Sequence, residues 1–190
     1  MGLLLLRELQ RHSNCAVMAP AILDPSGRLQ ESARGDPDML TGLFGRTSVL
    51  SRVFPNSRFT RRNLRAGALS DATDSSQPVD WVSGACMLVR RDALAVVGGF
   101  DEGYFLYWED ADLCRRLRNA GWETRYLRTA SATHDVGQSS QNARGLANRE
   151  FHRSAYRYFS THVVPQWWHP LRLVGWMLLA VRAGVQSIRK

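Results

Sequence analysis

Residues 100–122 read FDEGYFLYWEDADLCRRLRNAGW. Glu109, Asp110 and Asp112 stand within four positions, directly after the aromatic group Tyr104, Phe105, Tyr107 and Trp108. Leu113 and Leu117 recur at helical spacing, and Gly121 stands where a helix C-terminus needs a left-handed residue, so a helix is predicted over 109–119. Acids in a first helical turn meet unpaired N–H groups and the positive end of the macrodipole, worth ~0.3–1 kcal/mol each. Asp112 can pair with Arg115 or Arg116 at i+3 or i+4. Glu109 and Asp112 share a face, whereas Asp110 points about 100° away. One turn can therefore hold a paired acid and a separate base for a polar substrate. The plain alternative is a well-capped surface helix. The four aromatics follow no single helical face, so some line a cleft while at least two are packing residues.

Working outward, residues 2–12 predict a short helix with Leu3, Leu6 and Leu9 on its apolar face. Cys15–Pro20 predicts a buried strand, Asp24-Pro25-Ser26-Gly27 a turn, and Leu29–Ser32 a short strand or an extended arm. Residues 35–78 have weak periodicity, Pro37, Pro55 and Pro78, and the basic cluster Arg58, Arg61, Arg62 and Arg65. They predict a long surface excursion with one or two short helices. The apolar run Ala85–Val89 predicts a buried strand, and Arg91–Val97 a short helix closed by Gly98-Gly99. Thr124–Ala130 predicts a strand, Ser131–Asn142 a polar loop carrying His134, and 144–160 and Leu171–Ile188 two helices.

The chain has 190 residues, 44% of them hydrophobic and 22% charged, enough for one domain with a sizeable core. Of the net charge of +8, residues 141–190 carry +7, so the basic character belongs to the tail. Neither zinc-finger spacing nor an RNA-binding aromatic motif accompanies it, which argues against nucleic acid. Cys15, Cys86 and Cys114 are odd in number and widely spaced, so they read as buried small side chains in a reducing compartment. No run of about 18 apolar residues predicts a membrane span.

The segment VDWVSGACMLVRRDALAVVGGFDEGYFLYWEDADLCRRLRNAGWETRYLRTASATHDVGQSS resembles the second half of family 2 glycosyltransferases, nearest to bacterial rhamnosyltransferases that build cell-wall or O-antigen polysaccharide. The resemblance is strong over about 79–140 and weaker through 3–32. It implies an α/β fold: an incomplete GT-A fold with a mixed sheet flanked by helices and a C-terminal helical tail. It divides the chain into 1–143, the acceptor-side part, and 144–190, a basic amphipathic tail. It implies inverting transfer of a sugar from a nucleotide-sugar donor to a glycan or polyprenyl-linked acceptor. Asp110 would be the base, with Glu109 and Asp112 orienting it. Gly84 and Ala85 match a position where backbone passes close to substrate, and Trp81, Tyr107 and Trp108 are candidate substrate contacts. His134 matches a late His near a metal and diphosphate, and Ser139 and Ser140 are candidate phosphate contacts. Mg²⁺ or Mn²⁺ is the implied cofactor.

The family pattern normally starts well upstream of the position matching Met1, with the nucleotide-binding strands and an Asp-x-Asp metal motif. Asp36-Pro37-Asp38 has that spacing but lies in a proline-containing loop, and Asp110-Ala111-Asp112 belongs to the base motif. The isolated chain is therefore expected to lack the donor-holding half, to be inactive or barely active, and to associate with that half or with another copy. The second reading is a non-catalytic module that binds a lipid-linked acceptor or a partner enzyme. A glycoside hydrolase reading lacks a second separated carboxylate. The resemblance implies a cytoplasmic protein at the inner face of the cell membrane, and the tail, with Trp167, Trp168 and Trp176 beside the apolar stretch Leu171–Val185, suits peripheral contact there; the alternative is a helix packed across the domain's own sheet or in a dimer.

Overall fold

The computed structural model describes residues 1–37, 76–135 and 143–188. By internal contacts the chain divides into two units, Met1–Phe100 with Asp110–Val136, and Asp101–Glu109 with Gly137–Lys190. The predicted excursion over 35–78 falls mostly outside the described residues, as do Ser139 and Ser140.

The first unit is built around β1 (Cys15–Leu23), whose residues Cys15–Ile22 are all buried. Burial on both faces explains why this stretch reads as a continuous apolar run and not as an alternation. Along one edge β1 pairs in parallel with β7 (Glu123–Thr133), with register shifts after Cys15 and Pro20. Along the other it pairs antiparallel with two short strands at different heights: β6 (Leu88–Val89) at Val17–Met18 and β2 (Leu29–Gln30) at Ile22–Leu23. β4 (Gln77–Val79) adds antiparallel to the far side of β7. A separate ribbon pairs β3 (Ala33–Arg34) with β5 (Trp81–Val82). The sheet is therefore mixed.

Helices supply the covering layers. Leu5 and Leu9 of α1 (Gly2–Arg11) pack with Cys15, Met18 and Leu127 in one core cluster. Leu113 and Leu117 of α3 (Glu109–Asn119) join Val17, Ala19, Val79, Val82 and Tyr126 in the other. Between them in sequence, α2 (Arg91–Val96) ends on Gly98 and Gly99, both at positive φ, where a side chain would be strained. The end of α3 is a Schellman turn. Trp122 N–H donates to Leu117 O and Gly121 N–H to Arg118 O, with Gly121 at φ +88°.

Two expectations are corrected. Ala85–Val89 is not a buried strand: only Leu88–Val89 pairs with β1, and Ala85 is exposed. The chain turns at Ser83–Met87 before it reaches the sheet, a path an apolar run cannot reveal. Strand β7 continues to Thr133, past the predicted loop start at Ser131. It does so because its pairing with β1 resumes at Ala21–Leu23 after the register shift. Of the cysteines, Cys15 and Cys114 are buried as expected, whereas Cys86 is half-buried.

The second unit consists of the loop Asp101–Trp108, α4 (Arg144–Tyr158), a π-helical turn (Phe159–Val163) and α5 (Pro170–Ile188). Helix α4 organises the loop. Arg157 donates to both carboxylate oxygens of Asp101 at 3.0 and 2.8 Å, and its guanidinium lies over the Tyr104 ring. Ser154 Oγ donates to Leu106 O at 2.9 Å.

Candidate active site

Within the first unit, Asp110 faces the turn that follows β5. Its Oδ2 accepts the backbone N–H of Gly84 at 2.8 Å, and its Oδ1 accepts the N–H of Ala111 at 2.8 Å. The Ser83–Ala85 turn is braced by its own side chain, with Ala85 N–H donating to Ser83 Oγ at 3.3 Å. Gly84 and Ala85 are exposed, so backbone without bulky side chains borders the carboxylate. Packing around the Asp110 carboxyl pushes its pKa above the ordinary carboxylate value. The Gly84 and Ala111 amides and the Arg34 guanidinium pull the other way without cancelling that effect. A carboxylate held this way is a stronger base than a solvated one, and two amide donors fix its orientation.

The surrounding side chains have separate tasks. Asp112 is buried and accepts a hydrogen bond from Arg116 Nε at 2.7 Å. The same guanidinium donates to the carbonyls of Val97 and Gly99 at 2.8 Å each, tying α3 to the end of α2. Trp81 is half-buried; its Nε1 donates to Gly35 O at 2.9 Å, and Arg34 stacks 5.0 Å from its ring centre. The register pair Arg34↔Trp81 thus stands two residues before the turn that meets Asp110. Arg34 and Ser83 are contributors that sequence reasoning missed. Their signal is a strand pairing between positions almost fifty residues apart, and local periodicity does not carry it.

In the second unit, Tyr107 and Trp108 immediately precede α3 with φ of 65° and 70°. Left-handed backbone at consecutive non-glycine residues costs on the order of 1–3 kcal/mol each and persists where packing imposes it. Here Trp108 lies 5.3 Å from the Tyr158 ring and 5.9 Å from Phe151, and Tyr107 5.8 Å from Phe151. Both are half-buried, Tyr104 is buried and Phe105 is exposed. Glu109 is half-buried as the first residue of α3.

The divalent metal implied by resemblance was tested against the donors present. Among the described residues no three His, Cys, Asp or Glu side chains gather as a metal-ligand set. Asp36, the first acid of the Asp36-Pro37-Asp38 spacing, is held by the guanidinium groups of Arg115 and Arg118. His134 is exposed beyond the end of β7, where its N–H donates to Leu23 O and its carbonyl accepts Gln30 Nε2. The described residues do not complete such a site, so no chemical step below runs through a metal.

The sequence profile described as "Glycosyltransferase like family 2" matches residues 30–153. Over 168 residues, 88% of this chain and 53% of the relative, the chain is 36% identical to the N-acetylglucosaminyl-diphospho-decaprenol L-rhamnosyltransferase of Mycobacterium tuberculosis. It is 40% identical over 86 residues to the rhamnosyltransferase WbbL of Escherichia coli, covering 45% of this chain and 33% of that one. Against a cellulose synthase catalytic subunit of Komagataeibacter sucrofermentans it is 33% identical over 92 residues, 44% of this chain and 12% of the relative. The mixed sheet flanked by helices fits a partial GT-A-like glycosyltransferase domain. The chain belongs to glycosyltransferase family 2. It spans about half the length of the Mycobacterium tuberculosis relative and a smaller share of the other two.

Proposed function

We propose that this chain supplies the acceptor-activating part of an inverting glycosyltransferase. The enzyme would move rhamnose or a similar sugar from a nucleotide-sugar donor to a cell-wall or surface polysaccharide acceptor. The observation that carries the reading is the Asp110 carboxylate, oriented by the Gly84 and Ala111 amides and raised in basicity by its packing. Asp110 takes the proton of an acceptor hydroxyl, and that oxygen attacks the anomeric carbon of the donor. A new C–O bond forms as the bond to the diphosphate breaks, and the electron pair leaves with the nucleoside diphosphate. Base assistance of this kind is typically worth ~10²–10⁴-fold.

Asp112, through Arg116, positions the helix that carries Asp110. Glu109 begins that helix, and Gly84 and Ala85 leave open backbone beside the base. Trp81, which stacks with Arg34, and Tyr107 and Trp108 would be substrate contacts in this reading. Mg²⁺ or Mn²⁺ against the donor diphosphate belongs to this reading, with its main acids outside the described residues. His134, Ser139 and Ser140 would contribute on the diphosphate side. The printed name of the Mycobacterium tuberculosis relative supports an acceptor on a polyprenyl diphosphate, and hence a cytoplasmic enzyme at the inner membrane face. Since the chain spans about half of that relative, the 190 residues alone are expected to transfer sugar barely or not at all.

The test is Asp110→Asn in an assembled enzyme that transfers sugar, with folding monitored by circular dichroism. Loss of about 10²–10⁴-fold in transfer rate with unchanged folding is expected. Retained transfer in a folded variant removes Asp110 as the base.

A further inference from the structure

Helix α5 is built inside out. At 100° per residue, Leu173, Val174, Met177, Leu178, Val181 and Val185 fall within an arc of about 140°. All six are exposed, from 39% for Val174 to 66% for Val181. No charged residue lies in that arc. Arg172 and Arg182 lie outside it and are half-buried, and burial lowers the pKa of Arg182. The opposite face packs on α4 and the π-helical turn; Gly175 lies so close to Phe159 that a Cβ there would sit 2.6 Å from the ring. A soluble helix keeps its apolar stripe inward, so an outward stripe of this size marks a surface that something covers.

Three observations select the occupant. From Phe151 to the C-terminus the sequence has no Asp or Glu but contains five Arg and one Lys. Trp167 and Trp168, 83% and 65% exposed, immediately precede α5, and Trp176 is 54% exposed beside the arc. They border a hollow of about 540 Å³ that Tyr156, His169 and Arg172 also line, which brings aromatic faces and a guanidinium together. Finally, no helix among the described residues is long and apolar enough to cross a membrane. Apolar arc, amphipathic indoles and a net positive charge are the chemistry of an anionic lipid surface met side-on.

We propose that α5 docks in the plane of an anionic phospholipid bilayer. Its outward arc enters the acyl boundary, Trp167, Trp168 and Trp176 sit at headgroup level, and Arg172 meets lipid phosphate. This deepens the peripheral-membrane part of the function proposed above, and its test does not depend on Asp110.

The 190-residue chain is sedimented with vesicles of phosphatidylglycerol and phosphatidylcholine, and with phosphatidylcholine alone, while indole fluorescence is recorded. Binding to the anionic vesicles, with a blue shift and quenching by brominated acyl chains, is expected. The double variant Leu178→Asp and Val181→Asp, both on the open face, should weaken binding about tenfold or more. Leu3→Asp, on the exposed side of α1, should leave it unchanged. Absence of binding to anionic vesicles, or equal binding by the double variant, overturns the proposal. So does a dimer in light scattering that the double variant dissolves without any vesicle binding, since the face would then belong to a second copy. Asp110→Asn should bind vesicles like the parent chain, so a failure of the base assignment and a failure of docking are read separately.

Discussion

The backbone N–H of Gly84 and Oδ2 of Asp110 meet at 2.8 Å, joining a turn after one short strand to the first turn of a helix 26 residues later. The bond leaves the acid in an environment that penalises its charge more than its donors relieve it. The sign of the stability consequence follows. A carboxyl whose folded pKa lies above its unfolded value, about 3.9, favours the fold below that value. This contribution is lost as pH rises through the folded pKa. Asp110→Asn keeps an acceptor for Gly84 and carries no charge. Its melting temperature should therefore exceed that of the parent at pH 7, and the difference should shrink to nothing as pH falls below about 4. Thermal unfolding across pH measures this. A less stable variant at pH 7 would mean the carboxylate contributes to the fold there.

A second expectation concerns Gly84 itself. A Cβ built there comes no nearer than 3.5 Å, to Asp110 Cβ, an ordinary contact, and Gly84 has no positive φ to relieve. Gly84→Ala should thus unfold within about 0.5 kcal/mol of the parent in urea, as open surface positions do. If Gly84 and Ala85 border the acceptor as proposed, the loss appears in transfer by the assembled enzyme, chiefly as a raised acceptor KM. Unchanged KM would place the acceptor elsewhere.

Legibility from sequence followed the range of the signal. Helix α3 was readable to the residue because Leu113 and Leu117 set its buried face and Gly121 its end, all local facts. The Asp112–Arg116 pair was one of two spacings the helix allowed, and packing against α2 selected it. Gly84 was reached only through family resemblance, since nothing near it in the chain indicates a carboxylate 26 residues on. The run Ala85–Val89 misled because apolar composition alone fixes neither burial nor extension: Ala85 is exposed, the other four are half-buried, and only Leu88–Val89 is strand. The left-handed Tyr107 and Trp108 had no sequence sign at all. Asn or Gly ordinarily marks such backbone, whereas here aromatic packing onto α4 accompanies it.

Arg116 should be costly to remove. Its side chain neutralises Asp112, whose side chain is 2% exposed, and also satisfies two carbonyls at the end of α2. Arg116→Met leaves a buried carboxylate without its cation, a situation worth about 3–5 kcal/mol. The double change Asp112→Asn and Arg116→Met should recover part of that loss, because no buried charge remains. Urea unfolding of the four proteins in a double-mutant cycle gives the coupling, and additive losses would show that Arg116 acts through the carbonyls alone.

The Asp101–Arg157 pair should behave differently. Both side chains are partly exposed, at 33% and 44%, so the pair itself is worth at most about 1 kcal/mol. Its interest lies in Gly103, where an added Cβ would collide with the Arg157 guanidinium. That guanidinium is the end of a flexible side chain, so Gly103→Ala should displace it and break its hold on Asp101 without unfolding the unit. Gly103→Ala and Arg157→Ala should each cost about 1 kcal/mol or less in urea, and together scarcely more than either alone. Additive losses would mean that Gly103 serves the backbone of the loop and not the arginine.

Gly175 meets a less forgiving neighbour. The Phe159 ring is half-buried in the π-helical turn, and a Cβ at Gly175 would stand 2.6 Å from its Cε1 and 3.0 Å from Cδ1. A ring anchored in a packed turn cannot swing aside like an arginine tip, so α5 itself must back away. Overpacking of this kind typically costs about 1–3 kcal/mol. Gly175→Ala should therefore destabilise the chain by that amount, and Phe159→Leu in the same molecule should return most of it by vacating the ring's space. Rescue by Phe159→Leu is the discriminating measurement. A penalty that persists after the ring is gone would trace to α5 elsewhere, and no penalty at all would show that α5 shifts freely on its partner helix.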